Sequence, residues 1–356
     1  MRWTIKLKAY IDLGVIRQNI SDVRAQTSVK LLLMVKADAY GHGLSEVARA
    51  VQDDVDAFGV ATVEEGALLK DCGVLRDVLT LIWSVDELET AISHGLVLAL
   101  SNEVQLARIE QLIESGKAKP KDIRLHIALD SGMHRLGFCE SELDGVLSRL
   151  KSIGVQVEGA YSHLRVRSLR QISAFDRMSA VVREYFPNAI RHLAASHSIP
   201  CKRLHYDMVR VGIFAYHGAM RVVSEVVAVR RVVKGEFVSY GNFKLERDTN
   251  TAVIFGGYAD GVCRERPSDV YIHGRRCRVL GRVCMDMCVV DCGDYLPSVG
   301  EEVTLVDSAH IEDIAKQRKS IEYTVMTCWH GRVERIYKDD ESRSKTCGKD
   351  SGLKDE

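Results

Sequence analysis

A lysine followed by a turn-rich loop stands near the beginning of the chain. Lys36 comes directly after the apolar run 31–35, and the loop 37–43 reads ADAYGHG. If the run is a strand, the lysine lies at its end, where partial burial lowers the pKa of the ammonium group. The resulting neutral amine is suited to forming a Schiff base with a carbonyl compound. The alternative is a strand-end lysine whose amine extends into solvent.

Three cysteines form a second group with possible chemistry. Cys284, Cys288 and Cys292 are spaced by four residues, so a strand would place them on one face. No histidine neighbours them, and tetrahedral zinc sites usually have more closely spaced ligand pairs. The pattern therefore favours buried thiols over a metal site.

Short apolar runs alternate with amphipathic stretches of helical period over the first 215 or so residues. This alternation is typical of a parallel sheet with crossover helices. The predicted strands are 29–36, 57–62, 77–83, 96–100, 123–129, 155–163, 190–196 and 208–213. Eight such strands favour a closed (β/α)8 barrel of the TIM type, in which Lys36 lies at the functional rim. A doubly wound sheet would need a Gly-x-Gly-x-x-Gly turn after its first strand, and the chain has none there.

The pattern changes after about residue 220 to β-branched alternation with glycine-marked turns. The strands predicted there are 222–233, 237–240, 251–255, 270–273, 276–280, 283–290 and 302–306. We therefore expect a barrel domain over residues 1–220 and a mainly β domain over 221–337. Residues 338–356 are charged and rich in serine, and we expect this tail to be disordered.

Composition excludes several classes of protein. The 49 Lys and Arg residues balance 49 Asp and Glu residues, so no global positive field is available to bind nucleic acid. No apolar run approaches the length of a membrane span, which is about 18 residues or more. The first residues lack the apolar core of a secretory signal, and the ten cysteines include no Cys-x-x-Cys pair. These features favour a cytoplasmic protein with reduced thiols.

The segment around Lys36 resembles the pyridoxal-phosphate attachment segment of alanine racemases. It reads MVKADAYGHG over residues 34–43. Further segments resemble the same family in the same order: 58–66 FGVATVEEG, 130–138 DSGMHRLGF, 206–213 YDMVRVGI, 238–241 VSYG, 256–261 GGYADG, 281–286 GRVCMD, and Tyr323 before 332–335 RVER. The resemblance spans residues 3–337 and implies a (β/α)8 barrel followed by a β domain.

The resemblance also implies roles for individual residues. Lys36 would hold pyridoxal 5'-phosphate and act as one catalytic base, and Tyr258 would act as the opposite base. Arg210 would face the pyridine nitrogen, with His163 hydrogen-bonded to it. The matching phosphate-binding residues are Tyr40, Ser196, Gly212, Ile213 and Tyr323. The matching substrate-binding residues are Arg135, Met285 and Asp286.

The chain departs from the resembled pattern at several positions. Ala128 stands where the family often has a modified, anionic lysine, and Ser168 stands where an aspartate is frequent. If Arg135 is buried, we expect a bound anion or another acidic side chain to balance it, because an unpaired buried charge is costly. The stretch after His163, which reads LRVRS, is unusually basic.

The resemblance implies a racemase that interconverts L- and D-alanine for cell-wall precursor synthesis, acting as a homodimer with shared sites. Alternatives are a racemase for serine or another small amino acid, a decarboxylase of related fold, and a cofactor carrier. A decarboxylase would be expected to place an acidic group at the pyridine nitrogen, where this chain has Arg210.

Overall fold

The computed structural model describes residues 6–339 and divides the chain into two units. The unit that we call the barrel unit contains residues 17–217 and 321–329. The unit that we call the β unit contains, among the described residues, 6–16, 218–320 and 330–339. The chain begins with strand β1, Leu7–Asp12, which belongs to the β unit.

Eight parallel strands form the sheet of the barrel unit, and each coincides with a strand predicted from the sequence. They are β2 Lys30–Met34, β3 Ala57–Val60, β4 Asp77–Thr80, β5 Val97–Leu100, β6 Arg124–Ala128, β7 Val157–Tyr161, β8 Ile190–His192 and β9 Met208–Val211. Neighbouring strands pair from β8 in order down to β2, and β2 pairs with β9. The backbone N–H groups of Asp207 and Arg210 donate to the carbonyls of Arg191 and Ala194, both at 3.0 Å. These bonds join β9 to the β8 segment and close the barrel.

Helices follow most strands of the barrel unit and cover its outer face. Their bounds are Leu44–Val51, Val63–Asp71, Leu88–Ser93, Glu103–Glu114, Leu143–Ser152, Leu169–Tyr185, Ile213–Tyr216 and Glu322–Thr327; Leu13–Arg24 precedes β2. The helix Glu103–Glu114 shows why such a segment forms a helix and packs on the barrel. Asn102 accepts the N–H of Gln105 as an N-cap, and Leu106, Ile109 and Leu112 are buried along one face.

The β unit is built on one long strand, β10 Met220–Val232. The other strands are β11 Phe237–Val238, β12 Phe243–Lys244, β13 Thr249–Phe255, β14 Val270–Ile272, β15 Arg275–Leu280, β16 Met287–Gly293, β17 Glu302–Val306 and β18 Val333–Lys338, with one helix, Ile311–Gln317. The sheet order is β13-β16-β15-β14-β17-β10-β1-β18, and β10 also pairs with β13. A barrel of parallel strands followed by a mainly β unit confirms the predicted fold class.

The ends of the chain do not follow the expected division at residue 220. Strand β1 pairs antiparallel with β10 and parallel with β18, so the first described residues belong to the β unit. Residues 321–329 belong to the barrel unit, although they follow most of the β unit in sequence. The predicted tail begins at Lys338, which is the last residue of β18, and residues 340–356 lie outside the described residues.

The predicted strand 283–290 begins later in the structure, at Met287. The carbonyls of Cys284 and Met285 accept the N–H groups of Tyr258 and Ala259, both at 3.1 Å. These carbonyls bind a turn and not a neighbouring strand, which is why residues before Met287 leave the ladder.

Candidate active site

A cavity of about 830 Å³ lies in the barrel unit, where the carboxyl ends of the strands meet. Most residues in its wall belong to these strand ends or follow them directly. They include Met34, Lys36, Tyr40, Ala61, Leu81, Ala128, Arg135, Tyr161, His163, Leu193, Ser196, Arg210, Gly212, Ile213 and Tyr323. The cavity therefore brings together the site residues that the sequence analysis predicted for the barrel, from Lys36 to Tyr323.

A left-handed turn, Lys36–Tyr40, carries the lysine into this cavity. Residues 37–39 have φ between 52° and 55°, a conformation that costs about 1–2 kcal/mol for each residue other than glycine. The turn is held from outside, because the N–H of Ala37 donates to Oε1 of Glu65 at 2.7 Å. Glu65 also accepts the N–H of Ala61 at 2.7 Å, so one carboxylate joins the ends of two neighbouring strands. Sequence analysis did not identify Glu65, although the capping box of the following helix contains it.

The environment of Lys36 favours its neutral amine. Burial lowers the pKa of Lys36, and the cations of Arg135 and Arg210 lower it further, against the opposing effect of Glu65. A lowered pKa increases the fraction of amine that has a free lone pair at neutral pH. Lys36 thus has the property that a lysine needs to bond covalently to a carbonyl compound.

Arg210 lies on β9 with only 5 % of its surface exposed, and its terminal nitrogens bond to neutral acceptors. Nη1 lies 2.9 Å from Nδ1 of His192 and 2.8 Å from the carbonyl of His192. Nη2 donates to the carbonyls of Ser162 at 2.6 Å and Leu193 at 3.1 Å. His192 in turn lies 2.9 Å from His126, ring nitrogen to ring nitrogen. An arginine always donates, so this chain of contacts assigns a proton to Nε2 of His192 and none to its Nδ1.

Burial lowers the pKa values of the groups in this chain. The pKa of His126 falls to about 3 through burial and the cation of Arg124, and that of His192 falls well below its usual value. Burial lowers the pKa of Arg210 to about 10. Both imidazoles are therefore neutral at pH 7, and Arg210 is charged.

The expected hydrogen bond between His163 and Arg210 is wrong for this structure. His163 lines the cavity, but the partner of the guanidinium is His192, because the β8 residue faces β9 inside the barrel. Burial and the cations of Arg210 and Arg135 lower the pKa of His163 to about 4. Sequence analysis did not identify His192 or His126. The only signal in the sequence is that each lies in a strand, where alternate residues point into the barrel.

Hydroxyl and backbone donors form one end of the cavity. The N–H of Gly212 donates to Oγ of Ser196 at 2.9 Å, and Tyr40 and Tyr323 have ring centroids 5.9 Å apart. Glycine leaves room here, because a Cβ at position 212 would lie 2.5 Å from the hydroxyl oxygen of Tyr40 and would displace it. Ile213 begins a short helix next to this glycine. Burial raises the pKa of Tyr40, so its hydroxyl stays protonated and can donate. Neutral donors around a glycine backbone fit a phosphate group.

The loop after β6 carries Arg135 at the rim of the cavity. Oδ1 of Asp130 accepts the N–H groups of Gly132, Met133 and His134 at 3.0, 3.0 and 2.9 Å and so fixes the turn. Arg135 is exposed in the chain. The expectation of a counter-anion depended on a buried Arg135, and this condition is not met.

Tyr258 belongs to the β unit, where a buried carboxylate organises its turn. Asp260 is fully buried; its Oδ2 accepts the N–H of Gly257 at 2.9 Å, and its two oxygens accept Arg332 at 2.8 and 3.0 Å. A Cβ on Gly257 would lie 2.3 Å from the carbonyl oxygen of Cys284, so only glycine allows the turn to stack there. Asp260 and Arg332 were not predicted as functional, although the acidic residue stands two positions after the tyrosine.

The other predicted residues of the β unit surround this turn. The Arg264 guanidinium lies 5.1 Å from the centroid of the Tyr258 ring, which supplies a cation next to the phenol. Arg332 also pairs with Asp286 at 2.8 Å, and the side chain of Met285 is exposed. The structure thus groups Tyr258, Met285 and Asp286 in one unit and the lysine site in the other.

Comparisons with known proteins establish the family. Residues 11–219 match the model of the alanine racemase N-terminal domain, and residues 219–337 match that of the C-terminal domain. The chain belongs to the alanine racemase family. The family predicted from the sequence is therefore confirmed.

Individual alanine racemases resemble the chain over almost its whole length. The alanine racemase of Salinispora tropica is 31% identical and that of Vibrio parahaemolyticus 33% identical, covering 92% and 93% of this chain and 97% and 98% of those proteins. Among solved structures, alanine racemase from D-cycloserine-producing Streptomyces lavendulae has a TM-score of 0.87 at 27% identity, with 94% and 98% coverage. The biosynthetic alanine racemase of Pseudomonas aeruginosa has a TM-score of 0.84 at 30% identity, with 94% and 100% coverage.

No helix in residues 6–339 is long and apolar enough to cross a membrane. Within the same residues, no group of three or more His, Cys, Asp or Glu side chains is arranged to hold a metal ion.

Proposed function

We propose that this protein is a pyridoxal-phosphate-dependent racemase that interconverts L-alanine and D-alanine. The observation that carries this proposal is the position of Lys36. Its amine has a lowered pKa and shares one cavity with Arg210, whose terminal nitrogens bond to neutral acceptors. Family membership supports the same activity.

The cavity residues divide into groups that would hold the two ends of the cofactor. Lys36 would bond to it covalently through Nζ, and Tyr40, Ser196, Tyr323 and the backbone at Gly212 and Ile213 would bind its phosphate. Arg210 would face the pyridine nitrogen, with His163 in the adjoining wall. Bound pyridoxal phosphate withdraws electrons from the α-carbon of an attached amino acid and so makes its α-proton acidic.

Arg210 has a defined effect on this chemistry. Because its guanidinium stays charged at neutral pH, it disfavours a proton on a ring nitrogen placed beside it. An acidic residue would have the opposite effect. The neutral partners of Arg210 hold its geometry without removing its charge, which favours proton transfer at the α-carbon over side reactions such as transamination.

Racemisation needs one proton-transferring group on each face of the α-carbon. We assign these roles to the amine of Lys36 and the phenol of Tyr258, with Arg135, Met285 and Asp286 around the substrate carboxylate. Since Lys36 and Tyr258 lie in different units, we further propose a homodimer whose sites are shared between subunits. The proposed role is cytoplasmic supply of D-alanine for cell-wall precursors.

The proposal is tested by trapping the cofactor and measuring racemisation. Borohydride reduction of the protein with pyridoxal phosphate should attach the cofactor to Lys36, and Lys36→Ala should abolish the adduct. The wild-type protein should convert L-alanine to D-alanine, measured by chiral chromatography, and Tyr258→Phe should lose this conversion. An adduct on a different lysine would contradict the assignment.

A further inference from the structure

The cavity of the barrel unit has an unbalanced charge. Four arginine side chains line its wall: Arg135, Arg165, Arg167 and Arg210. Within residues 6–339, no aspartate or glutamate side chain lines it. A cavity lined by one sign of charge attracts ligands of the opposite sign.

Two carboxylates near the cavity, those of Glu65 and Asp130, are held outside its wall by backbone donors. Glu65 accepts the N–H groups of Ala37 and Ala61, each at 2.7 Å. Asp130 accepts three N–H groups of its own turn. Neither residue belongs to the cavity wall, so neither carboxylate is a partner for the arginines of the wall.

Arg165 and Arg167 are exposed at the rim, and no carboxylate of residues 6–339 lies within ion-pair distance of either guanidinium. Arginines on neighbouring helices behave differently. Arg149 pairs with Glu103 and Glu110, and Arg177 pairs with Glu140. The two rim arginines therefore differ from other arginines of the same unit in keeping their donors available to a ligand.

One buried side chain lies between the loop that carries Arg165 and Arg167 and the loop that carries Arg135. Oε1 of Gln171, which is 5 % exposed, accepts the N–H of Arg165 at 3.1 Å. Its Cγ would lie 3.3 Å from a Cβ on Gly132, in the loop that carries Arg135. Gln171 thus anchors the backbone of Arg165 and lies next to the loop that carries Arg135.

We propose that the site accepts amino acids with a carboxylate side chain, the class of aspartate and glutamate, and that Arg165 and Arg167 bind this side-chain carboxylate. This inference rests on the proposed racemase function. The phosphate end of the cavity consists of neutral donors, so the rim arginines are not needed there. The reaction is the same as for alanine: one α-proton leaves one face, one proton is added to the other, and the side-chain carboxylate is unchanged.

The first test compares substrates. The holoenzyme should racemise L-glutamate or L-aspartate as well as L-alanine, measured by chiral chromatography of the products. In the double variant Arg165→Gln/Arg167→Gln, the ratio of kcat/KM for the acidic substrate to that for alanine should fall about tenfold, since exposed ion pairs contribute modestly. Arg170→Gln is the matched control, because Arg170 is exposed in the next helix and does not line the cavity. It should leave the ratio unchanged.

The second test measures binding without turnover. Succinate and propionate differ by one carboxylate, and neither has an amino group that could react. Isothermal titration calorimetry of the protein should show succinate binding about tenfold more tightly than propionate, with the difference lost in the double variant and kept in Arg170→Gln.

The outcomes separate this inference from the proposed function. If alanine is racemised while acidic substrates are inert and succinate binds no better than propionate, the inference is wrong and the function stands. If acidic substrates react and alanine does not, the inference stands and the alanine assignment is wrong. If no amino acid reacts, the racemase function is wrong, and equal binding of the two acids would overturn the charge argument as well.

Discussion

At the scale of residues, the unusual feature is a buried arginine held by two neutral histidines. A positive neighbour on an imidazole disfavours a second positive charge, and burial acts in the same direction. His192 and His126 therefore serve Arg210 as a neutral acceptor and its support. The guanidinium of Arg210 is therefore the only charged group among these three side chains.

The buried histidines predict a pH dependence of stability. Unfolded, each imidazole has a pKa of about 6.5, whereas the folded values are lower, about 3 for His126. Between these values the unfolded chain binds more protons than the folded one. The contribution of these neutral histidines to the free energy of unfolding is therefore complete above pH 6.5 and is lost as the pH falls. His126→Gln should reduce the slope of unfolding free energy against pH, between pH 6 and 5, by about 1.2 kcal/mol per pH unit.

Urea unfolding at several pH values measures this slope. His94→Gln is the control, because His94 lies at the end of an outer helix and not in the barrel interior. An unchanged slope in His126→Gln would show that this histidine is protonated in the folded protein.

The residue scale also shows what sequence can and cannot predict about the site. Lys36 and Arg210 were predicted because each follows or lies in an apolar strand and matches a family segment. The partner of Arg210 was predicted incorrectly, because β8 and β9 meet only through the pairing that closes the barrel. Sequence gives the faces of a strand but not which residue of a neighbouring strand it faces.

At the scale of elements, the turn Lys36–Tyr40 stores local strain at the site. Its left-handed residues are held by Glu65 on one side and by Asp38, whose Oδ1 accepts the N–H of Leu44 at 2.7 Å. Sequence analysis predicted a loop here, but it could not predict consecutive left-handed residues, since alanine disfavours that conformation. Most of the eight strands were predictable because their apolar runs are buried on both faces.

Glycine should relieve this strain. Ala37 is exposed with φ of 52°, so Ala37→Gly should increase the free energy of unfolding by about 1 kcal/mol. Ala67→Gly, in the right-handed helix Val63–Asp71, is the matched control and should decrease it by about 0.5–1 kcal/mol. Urea unfolding of both variants gives the comparison. A loss of stability in Ala37→Gly would mean that the left-handed conformation costs the alanine less than the backbone freedom that glycine adds to the unfolded chain.

At the scale of the whole molecule, each unit includes a segment that is separated in sequence from the rest of that unit. β1 joins the sheet of the β unit, and residues 321–329, which include Tyr323, join the barrel unit. Sequence patterns predicted a change of architecture near residue 220. They could not assign these two segments, because the short alternating run of β1 fits either unit and its partners β10 and β18 are more than 200 residues away.

The proposed shared site leads to a prediction for mixed dimers. Lys36→Ala and Tyr258→Phe should each inactivate the protein alone, since each removes one of the two bases. If a site combines Lys36 of one subunit with Tyr258 of the other, a mixed dimer has one site with both defects and one intact site. Each mixed dimer should then have about half the activity of wild type, and random exchange in an equal mixture should give about a quarter.

Subunit exchange must be measured independently, with differently tagged chains recovered together by affinity purification. Each inactive variant incubated under the same conditions with itself is the control and should stay inactive. If tagged chains exchange and activity does not return, both bases of a site come from one chain. That result would leave the racemase chemistry in place and require Lys36 and Tyr258 of the same subunit to act on opposite faces of the substrate.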